Sequence, residues 1–207
     1  MKTEVVLLAA AWGGWCAVHS LLAAPGVRRR LEGWSPLLSR WYRLAYNIFA
    51  AASLVPLVIW LEAAAQGPPL LQWQWPWTLL QAAAWLAALL LFLGGARAYP
   101  LAEFLGLATP SSAQDEKRPP PLVTTGVLGL VRHPWYLAGL LTLWARTLSF
   151  PEVVVAAVIS VYLVIGAFLE EKRLLSLYGE AYRRYRRQVP MFVPVGGLLR
   201  LLRRGRE

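Results

Sequence analysis

The sequence predicts an all-α integral membrane protein with about five transmembrane helices, of which the last two form a helical hairpin. Two observations predict this class. Hydrophobic residues make up 57% of the 207 residues, charged residues make up only 15%, and the mean hydropathy is +0.46, a composition unlike that of a soluble domain. The charged residues also fall between long apolar runs, as in a chain that crosses a bilayer repeatedly.

Five apolar runs meet or approach the length of about 20 residues that a helix needs to cross the hydrocarbon core. They are residues 5–22, 44–61, 77–93, 135–148 and 153–169. The fourth run is short and carries Arg146, and Phe150, Pro151 and Glu152 separate it from the fifth. Because proline is favourable in the first turn of a helix, we predict a tight turn here and a hairpin of the last two helices.

The basic residues predict the orientation of the chain. When the connecting segments are assigned alternately to the two sides of the membrane, Lys2 and Arg146 fall on one side. The other side receives Arg28, Arg29, Arg30, Arg40, Arg43, Arg97, Lys117, Arg118, Arg132 and the whole tail from Lys172 to Arg206. Since loops rich in lysine and arginine stay in the cytoplasm, we predict an outer N-terminus and a cytoplasmic helical tail, in a prokaryotic inner membrane.

Composition also limits the partners of the protein. The formal net charge is +10, but the basic residues lie between apolar runs, so we expect the lipid bilayer as a partner and no nucleic acid. A single cysteine, Cys16, and only two histidines, His19 and His133, make a metal site unexpected. The first apolar run has no clear cleavage site, and we therefore expect it to be retained.

We predict a single membrane domain over residues 1–207, because no internal repeat or second domain is evident. Its parts are a three-helix region at 1–99, a cytoplasmic proline-rich loop at 100–125, the hairpin with its tail at 126–194, and a basic C-terminal tail at 195–207.

The polar residues of the hairpin concentrate at its cytoplasmic end. Arg132 and His133 begin its first helix, and Glu170 and Glu171 lie near the end of its second. Because the start of one hairpin helix and the end of the other lie at the same depth, these side chains can meet. Motifs typical of soluble enzymes, such as GxSxG, HExxH and phosphate-binding loops, are missing from the sequence.

This cluster suits a ligand that carries several charges. A proline in the first helical turn leaves the following backbone N–H groups for a polar ligand. The Glu170 carboxylate can hold an ammonium group, and Trp135, Tyr136 and Tyr178 can stack on a ring or face a cationic sulfur. S-adenosylmethionine offers these partners in one molecule. The alternatives are that the RHP motif only caps a helix and that the acidic pair is only an interfacial charge cluster.

Two segments carry a resemblance to a known family. TTGVLGLVRHPWYLAG, followed by LEEKRLLSLYGEAYRRYRRQVPMFVP, resembles the isoprenylcysteine carboxyl methyltransferase and phospholipid methyltransferase superfamily of integral membrane enzymes over about residues 122–194. The N-terminal VHSLLAAPGVRRRL and the later WYRLAYNIFA are similar to its methanethiol S-methyltransferase branch. The resemblance implies a membrane methyltransferase that uses S-adenosylmethionine without a metal, with residues 126–194 as its cofactor-binding part.

The resemblance also implies cofactor contacts, at Leu122, Val123, His133, Pro134, Trp135, Tyr136 and Glu170. His133 is expected mainly to position the cofactor, and a role as general base is left open. Leu128 stands where the family usually has a tyrosine, and Gly166 stands where the carboxyl methyltransferases have a substrate-facing arginine. The second departure favours a small or neutral acceptor over an isoprenylcysteine carboxylate, and we expect a small thiol or a lipophilic molecule. The alternatives are isoprenylcysteine carboxyl or phospholipid N-methylation, and an accessory protein or reductase of similar fold.

Further polar residues lie outside this cluster. His19 lies near the cytoplasmic end of the first predicted helix, where an ionisable side chain is a functional candidate; the alternative is a neutral histidine bonded to a backbone carbonyl or to interfacial water. We expect Arg146 to extend its charge to the outer face. Tyr178, Tyr182 and Tyr185 are predicted to share one helical face; packing, interfacial anchoring and a wall for the adenosine are the alternative roles. The arginines predicted to contact anionic headgroups are Arg183, Arg184, Arg186 and Arg187.

Overall fold

A computed structural model describes residues 2–98, 105–107 and 121–193, and the regular structure within these ranges is helical. The helices are α1 (Lys2–Ala23), α2 (Pro25–Glu32), α3 (Pro36–Ala64), α4 (Thr78–Ala98), α5 (Pro134–Trp144), α6 (Phe150–Tyr178) and α7 (Glu180–Gln188), with a 3₁₀ turn at Gly126–Gly129. The predicted helical class is therefore confirmed. Most of the predicted proline-rich loop and the tail at 195–207 lie outside the described residues.

Four of these helices, α1, α3, α4 and α6, are long and apolar enough to cross a membrane. The predicted number of five is not confirmed, because the fourth predicted run forms α5, which has only 11 residues. At 1.5 Å per residue, α5 is about 16 Å long, roughly half of the hydrocarbon thickness. Counting apolar residues overestimated this helix because residues 145–148 continue the apolar run without continuing the helix.

The described chain divides into two compact units. The first contains residues 2–73, 105–107 and 146–162, and the second contains residues 74–98, 121–145 and 163–193. Helix α6 contributes its first part to one unit and its second part to the other.

In the first unit, α1, α3 and the start of α6 share an apolar core of Leu8, Trp12, Leu61 and Val155. Helix α6 begins with a capping interaction: the Glu152 carboxylate accepts hydrogen bonds from the backbone N–H and the hydroxyl of Ser149, both at 2.8 Å. The first backbone N–H groups of a helix have no acceptor within the helix. A glutamate in the first turn can accept a hydrogen bond from the backbone N–H of the residue that precedes the helix, and this stabilises the helix start. Arg146, expected to reach the outer face, forms an ion pair with Glu152 at 2.9 Å.

In the second unit, α5 lies antiparallel to α4. The Trp135 indole, at the start of α5, donates to the Phe92 carbonyl at 3.1 Å. Past the other end of α5, the Ala145 carbonyl accepts from Gln81 Nε2 at 2.9 Å and from Trp85 Nε1 at 3.1 Å. A helix that ends early leaves carbonyl groups without partners in its own backbone, and lipid cannot satisfy them. The two side chains of α4 therefore explain how so short a helix is tolerated.

We expect the free energy of unfolding to fall by about 0.6 to 1.5 kcal/mol in each of the variants Gln81→Leu and Trp85→Phe. The loss is small because each variant keeps one of the two donors to the Ala145 carbonyl. In the double variant the free energy of unfolding is expected to fall by more than the sum of the two single losses, since the Ala145 carbonyl then loses both side-chain donors. Detergent-based unfolding of the two single variants and the double variant measures this coupling, and strictly additive losses would contradict the capping role.

The second part of α6 also lies antiparallel to α5, as the predicted hairpin requires. A Cβ added to Gly139 would lie 3.4 Å from Leu163 Cδ1, and one added to Gly166 would lie 3.2 Å from Tyr136 Cε1. Residues further along α5 thus meet residues earlier in α6. Small residues at such contacts allow membrane helices to approach closely.

Candidate functional site

Backbone contacts fix the RHP motif at the start of α5. Gly126 begins the preceding 3₁₀ turn with φ of +63°, a conformation that favours glycine because it lacks a Cβ. The backbone N–H of Arg132 donates to the Pro190 carbonyl at 3.0 Å, and that of His133 donates to the Met191 carbonyl at 3.3 Å. The segment that follows α7 therefore runs beside the motif and holds it in place.

Glu171 is the centre of a buried charged network. Its Oε1 lies 2.6 Å from Arg132 Nε and 2.5 Å from Arg132 Nη2, and its Oε2 lies 3.1 Å from Arg186 Nε. The Tyr182 hydroxyl donates to Oε1 at 3.5 Å. Arg132 also donates to the carbonyls of Arg186 and Val189. Because both of its oxygens bind arginines, Glu171 joins α6, α7 and the start of α5.

His133 lies between two carboxylates and is only 3% exposed. Its Nδ1 is 3.6 Å from Glu170 Oε2, and its Nε2 is 3.4 Å from Glu171 Oε1. The second contact lies within ion-pair distance but lacks the geometry of a hydrogen bond, so Nε2 has no hydrogen-bond partner among the described residues. The ring also meets Tyr136 edge-on, at 5.4 Å between centroids. The structure thus brings together His133 and Glu170, as the hairpin predicts.

Glu170 differs from its neighbour in exposure. Its side chain is 40% exposed, against 5% for Glu171, and its carboxylate interacts with His133 and Tyr136. Consecutive helical residues point about 100° apart, so one carboxylate faces the buried network and the other faces the open side. Glu170 is therefore the carboxylate of this pair that a ligand can reach.

The other predicted contacts surround these two residues or lie along the preceding segment. Pro134 is buried, and Trp135 and Tyr136 are half-buried at the first turn of α5. Leu122 packs against an apolar cluster that contains Tyr182, whereas Val123 is 42% exposed. The Leu122 side chain therefore serves packing in this structure.

The three tyrosines do not share one helical face, because the helix breaks between Tyr178 and Tyr182 at Gly179, where φ is +52°. Tyr182 and Tyr185 are buried, and the Tyr185 hydroxyl donates to the Leu128 carbonyl at 2.6 Å. Burial raises the pKa of Tyr182, and the Glu171 charge raises it further. Tyr182 therefore remains a protonated donor to the network.

The sequence did not predict the roles of Glu171 and Arg186. Arg186 was expected at lipid headgroups but binds Glu171. One available signal was the adjacent glutamate pair itself, since two neighbouring helical residues cannot face the same ligand.

The long apolar helices and the buried charged cluster define this chain as an integral membrane protein with a polar site at the ends of helices. No protein-family model and no solved structure matches the chain. It is similar to proteins named methanethiol S-methyltransferase. It is 41% identical to the one from Crocosphaera subtropica over 68 residues, and 36% identical to methanethiol S-methyltransferase 1 of Bradyrhizobium diazoefficiens over 80 residues.

These two matches cover 32% and 38% of this chain, but only 27% and 28% of the relatives. A longer match, to methanethiol S-methyltransferase 2 of Bradyrhizobium diazoefficiens, is 27% identical over 197 residues and covers 85% of this chain and 68% of that relative. The resemblance to the methanethiol branch is therefore confirmed, at modest identity.

Proposed function

We propose that this protein is an integral membrane methyltransferase that uses S-adenosylmethionine and methylates a small thiol. The observation that carries the proposal is the pairing of the buried His133 with the reachable Glu170 carboxylate, 3.6 Å apart at the start of α5. The similarity to proteins named methanethiol S-methyltransferase supports both the reaction class and the acceptor class.

The donor set of the site fits this cofactor. A carboxylate is needed for its ammonium group, and Glu170 is exposed enough to serve. Nε2 of His133 is buried without a hydrogen-bond partner in the described part of the chain, and such atoms usually acquire a partner in a completed site. Trp135 and Tyr136 are half-buried aromatic residues beside this pair, and aromatic rings of this kind attract a cationic sulfur. The remaining proposed contacts are Pro134 and the backbone of Leu122 and Val123.

The cofactor supplies a methyl group that is already activated on a positively charged sulfur. The chain must therefore align the lone pair of the acceptor behind this methyl group and exclude water. The edge contact with Tyr136 and the two flanking carboxylates hold the His133 ring in one orientation. We assign His133 to positioning the cofactor.

A thiol acceptor agrees with the surroundings of Gly166. The Tyr136 ring lies 3.2 Å from the place where a side chain at position 166 would begin. Position 166 is a glycine where the carboxyl methyltransferases have a substrate-facing arginine, so a carboxylate acceptor has no cation at this position.

The site must also face the compartment that holds the cofactor. S-adenosylmethionine is water-soluble, and the start of α5 is flanked by Arg132 and by the arginines of α7. We therefore propose that this end of the protein is cytoplasmic, in agreement with the distribution of basic residues.

We expect Glu170→Gln to weaken S-adenosylhomocysteine binding by about 10- to 100-fold, because the variant loses a charge-assisted hydrogen bond to the ammonium group. Calorimetry on the purified protein measures this affinity. Glu180→Gln is the matched control, since Glu180 is an exposed glutamate of α7 that pairs with Arg183. Equal affinities of the wild type and Glu170→Gln, or no binding by the wild type, would reject the proposed site.

The acceptor is tested by transfer of a radiolabelled methyl group to methanethiol, to a prenylated cysteine analogue and to phosphatidylethanolamine. The proposal expects a volatile labelled product from the thiol alone. Labelling of either lipophilic acceptor in place of the thiol would retain the methyltransferase and reject the thiol specificity.

A further inference from the structure

The ionisable residue His19 of α1 has its partner within the first unit. The Tyr46 hydroxyl lies 2.8 Å from its Nε2 and 3.1 Å from its Nδ1, and the Trp15 ring stacks on the imidazole at 4.9 Å. The histidine is therefore bonded to a side chain, in place of the backbone carbonyl or water that the sequence left open, and it needs no ligand. A charged surface that the candidate site does not use lies in the second unit, on α7.

Helix α7 has two chemically different faces. Tyr182 and Tyr185 are buried on one face, where they pack against partly buried leucines of the same unit. At about 100° per residue, Arg183, Arg184 and Arg187 point away from the tyrosines, and all three are exposed. These three arginines form the outer face of α7.

The outer face carries more positive charge than its neighbours balance. Arg183 pairs with Glu180, but Arg184 and Arg187 form no ion pair in the part of the chain that the structure describes. The two lie one turn apart on the helix, and like charges at this spacing repel each other. An anion bound between them would relieve this repulsion.

The inner side of α7 fixes its depth relative to the apolar part of α6. Arg186 Nε lies 3.1 Å from Glu171 Oε2, and Glu171 comes two residues after the end of the apolar run at 153–169. Two residues of helix correspond to about 3 Å. Helix α7 is therefore attached close to the level at which the hydrocarbon gives way to the lipid headgroups.

We propose that the outer face of α7 binds the phosphate groups of anionic phospholipids. Arginine forms paired, charge-assisted hydrogen bonds with phosphate oxygens, and basic segments beside a membrane attract acidic lipids. The headgroup layer offers such phosphates at the depth of α7, which favours a lipid over a free phosphate ion. This interaction goes beyond methyl transfer and does not depend on it.

Lipid bound to α7 is expected to act on the candidate site as well, because the same helix supports the RHP motif. Arg132 Nη1 donates to the Arg186 carbonyl at 3.2 Å, and just past α7 the Met191 carbonyl accepts from the backbone N–H of His133 at 3.3 Å. With only nine residues, α7 is too short to be a stable helix on its own. A lipid that neutralises its outer face should therefore stabilise both the helix and the motif.

Thermal unfolding in mixed micelles tests lipid binding. One micelle contains phosphatidylglycerol, which is anionic, and the other contains phosphatidylcholine with the same acyl chains, which is zwitterionic. Because a ligand of the folded state raises Tm, we expect Tm to be about 3 °C higher with phosphatidylglycerol, and added salt to reduce the difference by screening the charges. Equal Tm values in the two micelles would overturn the proposal, and so would an equal rise with inorganic phosphate alone.

Two double variants locate the interaction. Arg184→Gln with Arg187→Gln should lose most of the Tm difference between the two lipids. Arg29→Gln with Arg30→Gln is the matched control, because it removes the same charge from exposed arginines of α2 in the first unit, and it should keep most of the difference. Each variant is compared with itself in the two lipids, so a change in its intrinsic stability cancels. An equal loss in both double variants would overturn the assignment to α7.

The effect on the candidate site has its own measurement, which rests on the proposed function. We expect S-adenosylhomocysteine to bind about fivefold more tightly with phosphatidylglycerol than with phosphatidylcholine, and the variant Arg184→Gln with Arg187→Gln to lose this difference. Equal affinities in the two lipids would overturn the coupling between α7 and the site. Absence of binding in both lipids would reject the proposed function, and the Tm comparison would still decide whether α7 binds anionic lipid.

Discussion

Glu171→Gln is expected to destabilise the protein by about 3 to 5 kcal/mol, the usual cost of leaving a buried charge without its partner. The amide would face Arg132, whose side chain is only 8% exposed, and Arg186. Both arginines would lose their counter-ion, and α7 would lose its ionic contact with α6. Thermal unfolding in detergent measures the loss, which we expect to lower Tm by on the order of 10 °C.

Glu170→Gln is the matched control, because it makes the same chemical change one residue away. Its side chain is 40% exposed, and ion pairs that water reaches contribute about 0 to 1 kcal/mol. We therefore expect opposite phenotypes from adjacent glutamates: loss of stability at position 171, and loss of cofactor binding with near-normal stability at position 170. Equal Tm values for the two variants would contradict the division of roles.

A double variant separates the ion pair from simple packing. Arg132→Met combined with Glu171→Leu removes both charges, and apolar replacements of buried ion pairs are often neutral or stabilising. We expect this pair to recover part of the stability that Glu171→Leu alone loses. Recovery stays partial because Arg132 also donates to the carbonyls of Arg186 and Val189.

The meeting of His133 with Glu170 was predictable because it depends on local features. The apolar runs, the proline at the start of α5 and the antiparallel hairpin together determine which residues share a depth. The length of α5 was not predictable in this way. Its early end is tolerated because Gln81 and Trp85, 64 and 60 residues before Ala145, donate to the Ala145 carbonyl. The hydropathy of residues 135–148 does not indicate that two donors on α4 will bind the Ala145 carbonyl.

The division between Glu170 and Glu171 shows a similar limit. The sequence indicates that two adjacent glutamates point in different directions. Which of them is buried depends on Arg132 and Arg186, which come from elements on either side of α6 in the chain. The helix break at Gly179 was easier to predict from the sequence, since a glycine between two helical segments favours a positive φ that ends the first helix. The spacing of the three tyrosines, taken alone, predicted one continuous helix and gave no indication of this break.

Gly95→Ala is expected to cost about 3 kcal/mol although it adds a single methyl group. A Cβ at this position of α4 would lie 2.3 Å from Nε1 and 2.6 Å from Cδ1 of Trp135, so the indole must move. Overpacking of this kind costs about 1 to 3 kcal/mol, and the displaced indole also loses its hydrogen bond to the Phe92 carbonyl, worth about 1 kcal/mol. Methyl transfer should fall as well, because Trp135 is a proposed wall of the cofactor site.

The methyl group of Gly95→Ala should no longer destabilise the protein when the Trp135 indole is removed. The three atoms nearest to a Cβ at Gly95 all belong to the Trp135 indole, and a Trp135→Ala background removes them. Alanine is favoured over glycine in a helix by about 1 kcal/mol. A double-mutant cycle therefore compares the unfolding free energies of the wild type, the two single variants and the double variant. We expect Gly95→Ala to destabilise the wild type and to stabilise the Trp135→Ala variant. A cost that stays the same in both backgrounds would show that Gly95 does not serve the close contact with Trp135. Gly94→Ala is not a suitable control, since its Cβ would lie 2.9 Å from Val127 Cβ. Gly14→Ala on α1 is the control, because its Cβ would meet no atom within 4 Å. It should leave methyl transfer unchanged and raise the stability by up to about 1 kcal/mol, the helix preference of alanine alone.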